Sequence, residues 1–399
     1  METFPVSITD VSVMLRVAYL SSYSPRECGI ATFTEDLTKS IDELGVIAPS
    51  AIVSINDPGS SYNYGKEVLW QIDEDKIETY QEAADYLNKS EFNLINVQHE
   101  FGLFGGRWGE YLLTLLEGLD KPVVTTMHTT LSPDSKILHS LDNPEVHDEV
   151  VKGICQASSA IVVMTKTAAR ILHESYCVDP DKIRIIPHGS PCFPDAPKEV
   201  VKDALGLGGR TVLSTFGLLS KDKGIQYAIK ALPEIVKEYP DILYLIIGVT
   251  HPQVRMRVGE KYRKRLVRLV NKLDLRDNVR FHNRFLSKEE LIQYLNATDI
   301  YICPYVNKEQ LSSGTVTYAM VAGKPIISTP FYYAEEILAE GRGILCKFKN
   351  SRSITDGLRL LLDNPEKKAR MEKLAYEHGQ SMTWPRVASK YVDLFRELA

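Results

Sequence analysis

The stretch PYVNKEQLSSGTVTYAMVAGKPIISTP, residues 304–330, decides the fold class of this chain. It begins where an apolar run ends, passes through a polar loop rich in serine and glycine, and continues with the composition of a helix. A Gly-Lys-Pro turn then leads into a second apolar run. Strand, loop, helix and strand in this order are typical of a parallel α/β sheet. The loop-to-helix junction collects unpaired N–H groups at the positive end of a helix dipole, where proteins bind phosphate or diphosphate.

The same alternation extends along the rest of the chain. Apolar runs such as LINV, VVTT, IVVM and YLII lack a period of two, which indicates strands covered on both faces. Amphipathic stripes lie between them, as in the helix predicted to carry Ile225, Ala228 and Leu232 on one face. The predicted strands are Val13–Leu20, Ala51–Ile55, Leu94–Gln98, Pro122–His128, Ala160–Thr165, Lys182–Pro187, Thr211–Gly217, Leu243–Gly248, Val279–Phe281, Ile300–Pro304 and Pro325–Ser328.

This pattern predicts an α/β protein with two doubly wound, Rossmann-like domains facing a cleft. A break rich in proline and glycine, PHGSPCFPDAPKEV followed by LGLGGR, indicates a linker near residues 192–209. We therefore expect domains at 1–195 and 196–380, and an amphipathic helix at 381–399. Ligands of such sheets bind at the carboxyl ends of the strands, so the loops that follow the strands are the candidate sites.

Composition and charge narrow the class of protein. With 399 residues, 44% hydrophobic and 25% charged, the chain has the composition of a soluble globular protein. Its net charge of −5 gives no basic excess that would favour nucleic acid as the main partner. Six scattered cysteines without a CxxC pair favour reduced thiols over disulfides or zinc. The N-terminal residues lack a signal-peptide pattern, and no apolar run approaches the roughly 20 residues of a membrane helix, so a cytoplasmic location is expected.

Residues 304–330 resemble the donor-site signature of the GT-B glycosyltransferases of family 4, E-x-F-G-x-x-x-x-E-A-M-A-x-G-x-P. Gln310 and Tyr318 occupy the positions of the two glutamates, and Glu309 lies one residue out of register. The frame of the signature is otherwise kept by Ala319, Met320, Gly323 and Pro325. The resemblance implies that Gln310 or Glu309 contacts the donor sugar, and that the donor phosphates lie on Ser313, Gly314 and Thr315. The alternative is a loop that only connects a strand to a helix.

A second segment, FGLLSKDKGIQYAIKAL at residues 216–232, resembles the family's G-R-L-x-x-x-K-G element. Gly217, Lys223 and Gly224 match, whereas Leu218 stands in place of the arginine and Lys221 is a possible substitute for it. The resemblance implies that Lys223 binds the donor diphosphate without a metal ion. It also implies a weaker contact with the nucleotide from Thr250, in the segment GVTHP.

Three histidines of the first half follow predicted strands: His99, His128 and His188. Polar residues at these positions lie at the ligand-binding edge of an α/β sheet. His128 matches the family's histidine near the transferred sugar, and we expect it to stabilise charge or position a sugar hydroxyl. His99 and Glu100 are the next catalytic candidates, because Glu100 could accept a proton from an acceptor hydroxyl or only orient His99. The alternatives are structural histidines, or a metal site, which the spacing does not favour.

Two loops are candidates for the acceptor side. In SSYSPRECGIATFTEDL, Gly29 permits a close approach of the backbone to a ligand, and Arg26 is a cation beside it. In QHEFGLFGGRWGEYL, residues 98–112, Arg107 is a potential contact, although a plain surface loop fits the sequence equally well. A strongly basic segment, residues 255–268, has two interpretations: a solvated helix face, or contact with an anionic membrane or a phosphate-bearing lipid-linked acceptor.

The resemblance therefore implies a metal-independent, retaining glycosyltransferase without a cofactor. We expect it to transfer a hexose, with mannose favoured and GDP-mannose preferred over UDP-glucose, to a glycan or lipid-linked acceptor. The overall texture is most similar to the mannosyltransferase-like subgroup. In the family as a whole the C-terminal helix crosses back to the N-terminal domain. The expected location is the cytoplasm, with peripheral contact at the inner face of the membrane as a further possibility. Two alternatives stay open: a glycoside phosphorylase on the same fold, and a non-catalytic subunit that binds nucleotide sugars.

Overall fold

The computed structural model describes residues 14–399. The N-terminal segment used to judge a signal peptide, through residue 13, lies outside this range, as does the first residue of the predicted strand Val13–Leu20. The described chain divides into two compact units. The first comprises the residues up to Gly189 together with Trp384–Ala399, and the second comprises Ser190–Thr383. The predicted domain limits after residues 195 and 380 lie a few residues from the two points where the chain passes between these units.

The first unit contains a seven-stranded parallel sheet in the order β3-β2-β1-β4-β5-β6-β7. The direction in which successive strands are added changes between β1 and β4, because β2 and β3 are added on one side of β1 and the later strands on the other. We call this point the direction change of the sheet. Its strands are β1 Val17–Ser21, β2 Ala51–Asn56, β3 Val68–Asp73, β4 Leu94–His99, β5 Val123–Met127, β6 Ala160–Val163 and β7 Ile183–Ile185. Every residue of β1, β2, β4, β5 and β6 is buried, as expected for strands covered on both faces.

The helices of the first unit are α1 Gly29–Leu44, α2 Ile77–Lys89, α3 Tyr111–Glu117, α4 Pro144–Ala157, α5 Lys166–Tyr176 and α15 Trp384–Leu398. The last helix of the chain, α15, packs against α1. It buries the apolar face that the sequence predicted, including Val387, Tyr391 and Leu394. At its first residue, the indole Nε1 of Trp384 donates to Asp36 Oδ2 at 3.1 Å in a buried setting. The chain's three tryptophans, Trp70, Trp108 and Trp384, all belong to this unit.

The second unit contains a six-stranded parallel sheet in the order β10-β9-β8-β11-β12-β13. Here the direction changes between β8 and β11. The strands are β8 Thr211–Phe216, β9 Ile242–Ile247, β10 Val279–His282, β11 Ile300–Cys303, β12 Ile326–Ser328 and β13 Gly343–Leu345. The helices are α6 Lys198–Ala204, α7 Ile225–Glu238, α8 Pro252–Val258, α9 Lys261–Lys272, α10 Lys288–Asn296, α11 Gly314–Val321, α12 Tyr332–Ile337, α13 Ser351–Leu362 and α14 Pro365–Gly379.

The segment predicted as a linker, residues 192–209, belongs to the second unit and contains α6. Lys202 of α6 is buried and forms an ion pair with Asp299, with 2.8 Å between Nζ and Oδ2. The carboxylate of Asp299 also accepts a hydrogen bond from the backbone N–H of Val212 at 2.8 Å. These contacts attach the proline- and glycine-rich segment to the start of β8 and explain why it is ordered rather than a spacer.

No helix within residues 14–399 combines the length and the apolar composition needed to cross a membrane. All six cysteines are free thiols. In the same described range, no group of three or more His, Cys, Asp or Glu side chains is arranged so that it could hold a metal ion.

Candidate functional site

The two predicted donor segments meet where the second sheet changes direction. Gly217, Lys223 and Gly224 lie in the loop after β8, and the segment from Glu309 to Thr315 lies in the loop after β11 and at the start of α11. Since β8 and β11 are neighbours that pair in parallel, both loops leave the same edge of the sheet. This is the position at which doubly wound sheets bind ligands.

Glycine at two positions allows the loops to approach each other. Gly224 has φ 63°, and a Cβ atom there would lie 1.9 Å from the carbonyl oxygen of Pro304. Gly217 has φ 125°, and a Cβ atom there would lie 3.3 Å from Cγ2 of Thr315. Both backbone conformations disfavour L side chains, and both contacts leave little room for one. The match of these glycines to the family motif therefore has a direct steric reason.

A continuous row of polar groups joins the two loops. The ammonium of Lys223 lies 3.9 Å from the ring centroid of Tyr305, a cation–π contact. The hydroxyl of Tyr305 lies 3.0 Å from Oγ1 of Thr315, which in turn lies 3.2 Å from Oγ of Ser313. Stacking on Phe331, with 5.2 Å between ring centroids, fixes the Tyr305 ring. We call these four residues, Lys223, Tyr305, Thr315 and Ser313, the donor row.

The donor row ends at the N-terminus of α11. Ser313 is the N-cap, and its Oγ accepts a hydrogen bond from the N–H of Val316. The N–H groups of the first helical turn have no intrahelical carbonyl to bind. Those of Gly314 and Thr315 lie on a part of the chain that is partly exposed. A lysine, two hydroxyls and free helical N–H groups at one strand edge form an environment suited to a diphosphate.

The other predicted donor residues have more local roles. The side-chain amide of Gln310 donates to the carbonyl of Ser312 at 2.9 Å, so it stabilises the loop that carries the helix start. The backbone N–H of Glu309 donates to Asn307 Oδ1 at 2.9 Å. Tyr318, at the position of the family's second glutamate, is buried, with its ring 6.1 Å from that of Phe216. An aromatic ring thus fills the place of a carboxylate.

Thr250 lies in the loop after β9 and forms an isolated parallel β-bridge with Leu219 of the loop after β8. It is buried, and its Oγ1 donates to Glu260 Oε2 at 2.5 Å. Arg263 donates to the same Oε2 from Nε at 3.1 Å and to the carbonyl of Gly248 at 2.8 Å. The neighbouring His251 has its pKa lowered by burial and by the nearby Lys223 ammonium. Thr250 is therefore a buried support of the loop, and the backbone N–H of His251 donates to the carbonyl of Leu219 in the loop after β8 at 3.0 Å.

Two of the predicted histidines of the first unit pack on one phenylalanine, Phe33 of α1. The ring of His128 lies 4.6 Å from it and that of His188 5.0 Å, both in edge-to-face geometry. Nε2 of His128 lies 2.9 Å from Gln98 Oε1, and its backbone N–H donates to the carbonyl of His99 at 3.0 Å. Burial lowers the pKa of His128 to about 3 and that of His188 to about 4. Both rings are therefore neutral near pH 7, which favours hydrogen bonding over the stabilisation of negative charge.

His99 is fully buried at the end of β4 and lies against aromatic rings. Phe101 is 4.8 Å and Phe104 5.8 Å from its ring centroid. Neither ring nitrogen has a hydrogen-bond partner among residues 14–399. Burial lowers its pKa to about 3, and the neighbouring His147 contributes to this shift. His147 was not predicted as a site residue, because its segment EVHDEV has the pattern of an ordinary helix surface.

Glu100 is the one carboxylate among the three predicted catalytic residues, and it is therefore the candidate to accept a proton. It follows β4, and its Oε2 accepts a hydrogen bond from Thr129 Oγ1 at 2.7 Å. Its Oε1 accepts one from the N–H of Phe101 at 3.0 Å. Burial raises the pKa of Glu100 above its usual value, although these hydrogen bonds oppose the shift. A partly buried carboxyl group with a raised pKa is suited to exchange protons closer to neutrality.

The predicted acceptor-side residues differ in how free they are. Gly29 begins α1 and has open space around its Cα. The guanidinium of Arg26 is nearly buried and pairs with Asp57 at 2.6 Å and with Glu74 at 3.4 Å, so it stabilises the loop rather than reaching outward. Arg107 is exposed and pairs with Glu110 at 3.1 Å.

Comparisons with known proteins agree with this architecture. The family model "Glycosyltransferase Family 4" matches residues 70–191, and the model "Glycosyl transferases group 1" matches residues 198–378. The chain is 28% identical to "Spore coat protein SA" of Bacillus subtilis (strain 168) over 206 residues, covering 50% of this chain and 52% of that protein. It is 26% identical to "D-inositol 3-phosphate glycosyltransferase" of Corynebacterium glutamicum (strain R) over 289 residues, covering 69% and 66%. The matches thus span about half to two thirds of the length of these relatives.

Solved structures share the whole fold. The crystal structure of Anabaena HepE in complex with UDP and glucose superimposes with a TM-score of 0.75 at 15% identity, covering 96% of this chain and 100% of that one. At this identity the likeness shows the fold alone. The two family models together take in most of both units, in the order found in the chain. The chain therefore belongs to the family 4 glycosyltransferases and has the GT-B fold.

Proposed function

We propose that this chain is a glycosyltransferase that takes a hexose from a nucleotide-diphosphate sugar and transfers it to a glycan or a lipid-linked acceptor. The observation that carries the proposal is the donor row at the direction change of the second sheet. The name of the Corynebacterium relative and the UDP and glucose bound to Anabaena HepE support it. A cytoplasmic location, predicted from the sequence, is part of the same proposal.

The donor row would act on the leaving group. When the bond to the sugar breaks, negative charge builds up on the nucleotide diphosphate. Lys223, the hydroxyls of Ser313 and Thr315, and the first N–H groups of α11 would stabilise that charge in a fixed geometry. These groups need no metal ion, so turnover in the presence of EDTA should equal turnover with added Mg²⁺.

The resemblance to the family assigns the acceptor-side and catalytic groups to the first unit. His128, neutral near pH 7, would hydrogen-bond a sugar hydroxyl and so position the ring. Glu100, with its raised pKa, would accept the proton of the acceptor hydroxyl. His99 would act indirectly, since its carbonyl accepts the N–H of His128. Retention of the anomeric configuration is predicted from the resemblance, and NMR of the first-formed product would test it.

The choice of donor is tested by comparing two nucleotide sugars directly. GDP-mannose is the donor favoured by the sequence, and UDP-glucose is the competitor suggested by the ligands of Anabaena HepE. Isothermal titration calorimetry with both nucleotide sugars, with UDP and GDP, and with orthophosphate would rank them. We expect a nucleotide diphosphate to bind at least tenfold more tightly than orthophosphate.

The same titration separates the alternatives. A glycoside phosphorylase would bind orthophosphate tightly and release a sugar phosphate only when orthophosphate is present. A non-catalytic subunit would bind a nucleotide sugar but neither transfer nor hydrolyse it with any acceptor tested. The absence of binding by any nucleotide diphosphate would refute the proposal itself.

A further inference from the structure

Among residues 14–399, exposed cations that form no ion pair are concentrated on α8 and α9. Between residues 252 and 272 the sequence has eight basic residues and one acidic residue, Glu260. The Glu260 carboxylate is already bonded to Thr250 and Arg263. The remaining cations are exposed, and within the described chain none forms an ion pair: Arg255, Arg257, Lys261, Lys264, Arg265, Arg268 and Lys272. We call these seven residues the basic surface.

The opposite face of α9 is fixed to the core, which holds the five cations of this helix outward. Tyr262, Leu266 and Val270 are buried against the sheet. The Tyr262 hydroxyl accepts a hydrogen bond from the N–H of Ile225 at 3.1 Å and donates one to Gln226 at 2.6 Å. The helix therefore cannot turn its cations inward. In a chain with a net charge of −5, this concentration of unpaired positive charge is local.

Exposed apolar side chains lie among these cations. Met256 is 79% exposed, Val258 44% and Val267 40%. Cations interleaved with exposed apolar side chains are the composition of helices that lie in a membrane interface, where the apolar groups enter the acyl boundary and the cations contact anionic headgroups. Surfaces that bind single-stranded nucleic acid place aromatic rings among the cations, whereas the one aromatic ring of α9, that of Tyr262, is buried.

We propose that the basic surface binds this protein to the surface of an anionic lipid bilayer. The basic surface starts close to the loop that carries Lys223, because the backbone N–H of His251, which precedes α8, donates to the carbonyl of Leu219 in that loop at 3.0 Å. Docking through α8 and α9 would therefore hold the donor row near lipid headgroups. Membrane docking does not depend on the proposed transferase activity. Only the idea that docking brings the enzyme to a lipid-linked acceptor rests on that activity.

Sedimentation with vesicles tests the proposal. We expect the full chain to bind vesicles of phosphatidylcholine containing phosphatidylglycerol, and not vesicles of phosphatidylcholine alone. Each cation at an anionic surface contributes roughly fivefold to the partition coefficient, so Lys264→Glu with Arg268→Glu should weaken binding by at least about 20-fold. The matched control is Lys367→Glu with Arg370→Glu on α14, an equal charge change at exposed positions of the same unit, which should change binding less than about threefold. Met256→Ser should weaken it severalfold.

Three results would overturn the proposal. They are equal binding to neutral vesicles, equal losses in the two double variants, and binding of the wild type to RNA but not to anionic vesicles.

A change of salt from about 0.1 M to about 1 M gives a test on the wild type alone. The higher salt should release the protein from the vesicles because the Debye length falls from about 10 Å to about 3 Å. Circular dichroism and UDP titration of each variant would show that the fold and the donor row are intact. If UDP does not bind the wild type, the transferase proposal is refuted, and the vesicle assay still tests the membrane proposal independently.

Discussion

Lys223→Ala is expected to weaken the binding of a nucleotide diphosphate about 10- to 150-fold. The ammonium lies over the Tyr305 ring at 3.9 Å and is the one cation in the donor row. A hydrogen bond to a charged group contributes about 1.5–3 kcal/mol, and about 1.4 kcal/mol corresponds to a factor of ten in Kd. The expected loss follows directly from these two magnitudes.

Calorimetry with UDP, GDP and the parent nucleosides would measure the loss. Because the lysine is proposed to bind phosphate, the variant should bind nucleosides as the wild type does and lose its preference for diphosphates. The matched control is Lys230→Ala, which removes an exposed lysine from α7 of the same unit. Wild-type affinity for both diphosphates in a folded Lys223→Ala variant would remove this lysine from the site and refute the donor row.

Three other perturbations test packing and protonation in the two units. Gly224→Ala should lower the free energy of unfolding in urea by more than Gly206→Ala does. Both glycines have φ near 65°, and because the space around position 206 is open, Gly206→Ala should cost only about 1–2 kcal/mol of strain. At position 224 the added Cβ would also meet the carbonyl of Pro304. As the pH falls below 6.5, the free energy of unfolding of the first unit should decrease by about 1.4 kcal/mol per pH unit for each buried histidine, because burial lowers the pKa in the folded state and the proton binds only to the unfolded state. His99→Gln should remove one such contribution to the slope, and tryptophan emission would report it. Glu100→Gln should lower turnover about 100-fold or more and abolish the rise of turnover with pH through the raised pKa of this carboxyl, which a pH–rate profile would show.

The sequence predicted the strands that are buried on both faces, because short runs such as YLII are apolar at every position and alternate with amphipathic stripes. It missed β3, Val68–Asp73, and β13, Gly343–Leu345, which form sheet edges. In β3 exposed and partly buried residues alternate, with Leu69 48% exposed, so it lacks the continuous apolar signal. In β13 only three residues pair with the sheet. These two strands are defined mainly by the neighbours with which they pair, which a single-sequence pattern does not contain.

The motif singled out Gly217 and Gly224, and at both positions the local backbone geometry explains why glycine is present. It was not predictable where burial or pairing depends on distant segments. The partners of Arg26 are Asp57 and Glu74, which come from two other loops. Tyr305 meets Lys223 across the direction change of the sheet, although the two are far apart in sequence. The protonation state of His128 likewise follows from its burial, and the motif alone does not reveal it.

The return of the last helix to the first unit has a consequence for synthesis. Residues 190–383 are contiguous, so the second unit can complete its core once they have left the ribosome. The first unit cannot, because the face of α1 that α15 covers stays open until Trp384–Ala399 is made. We therefore expect the half translated first to finish folding last, and nascent chains stalled before Trp384 to expose an apolar surface that attracts chaperones.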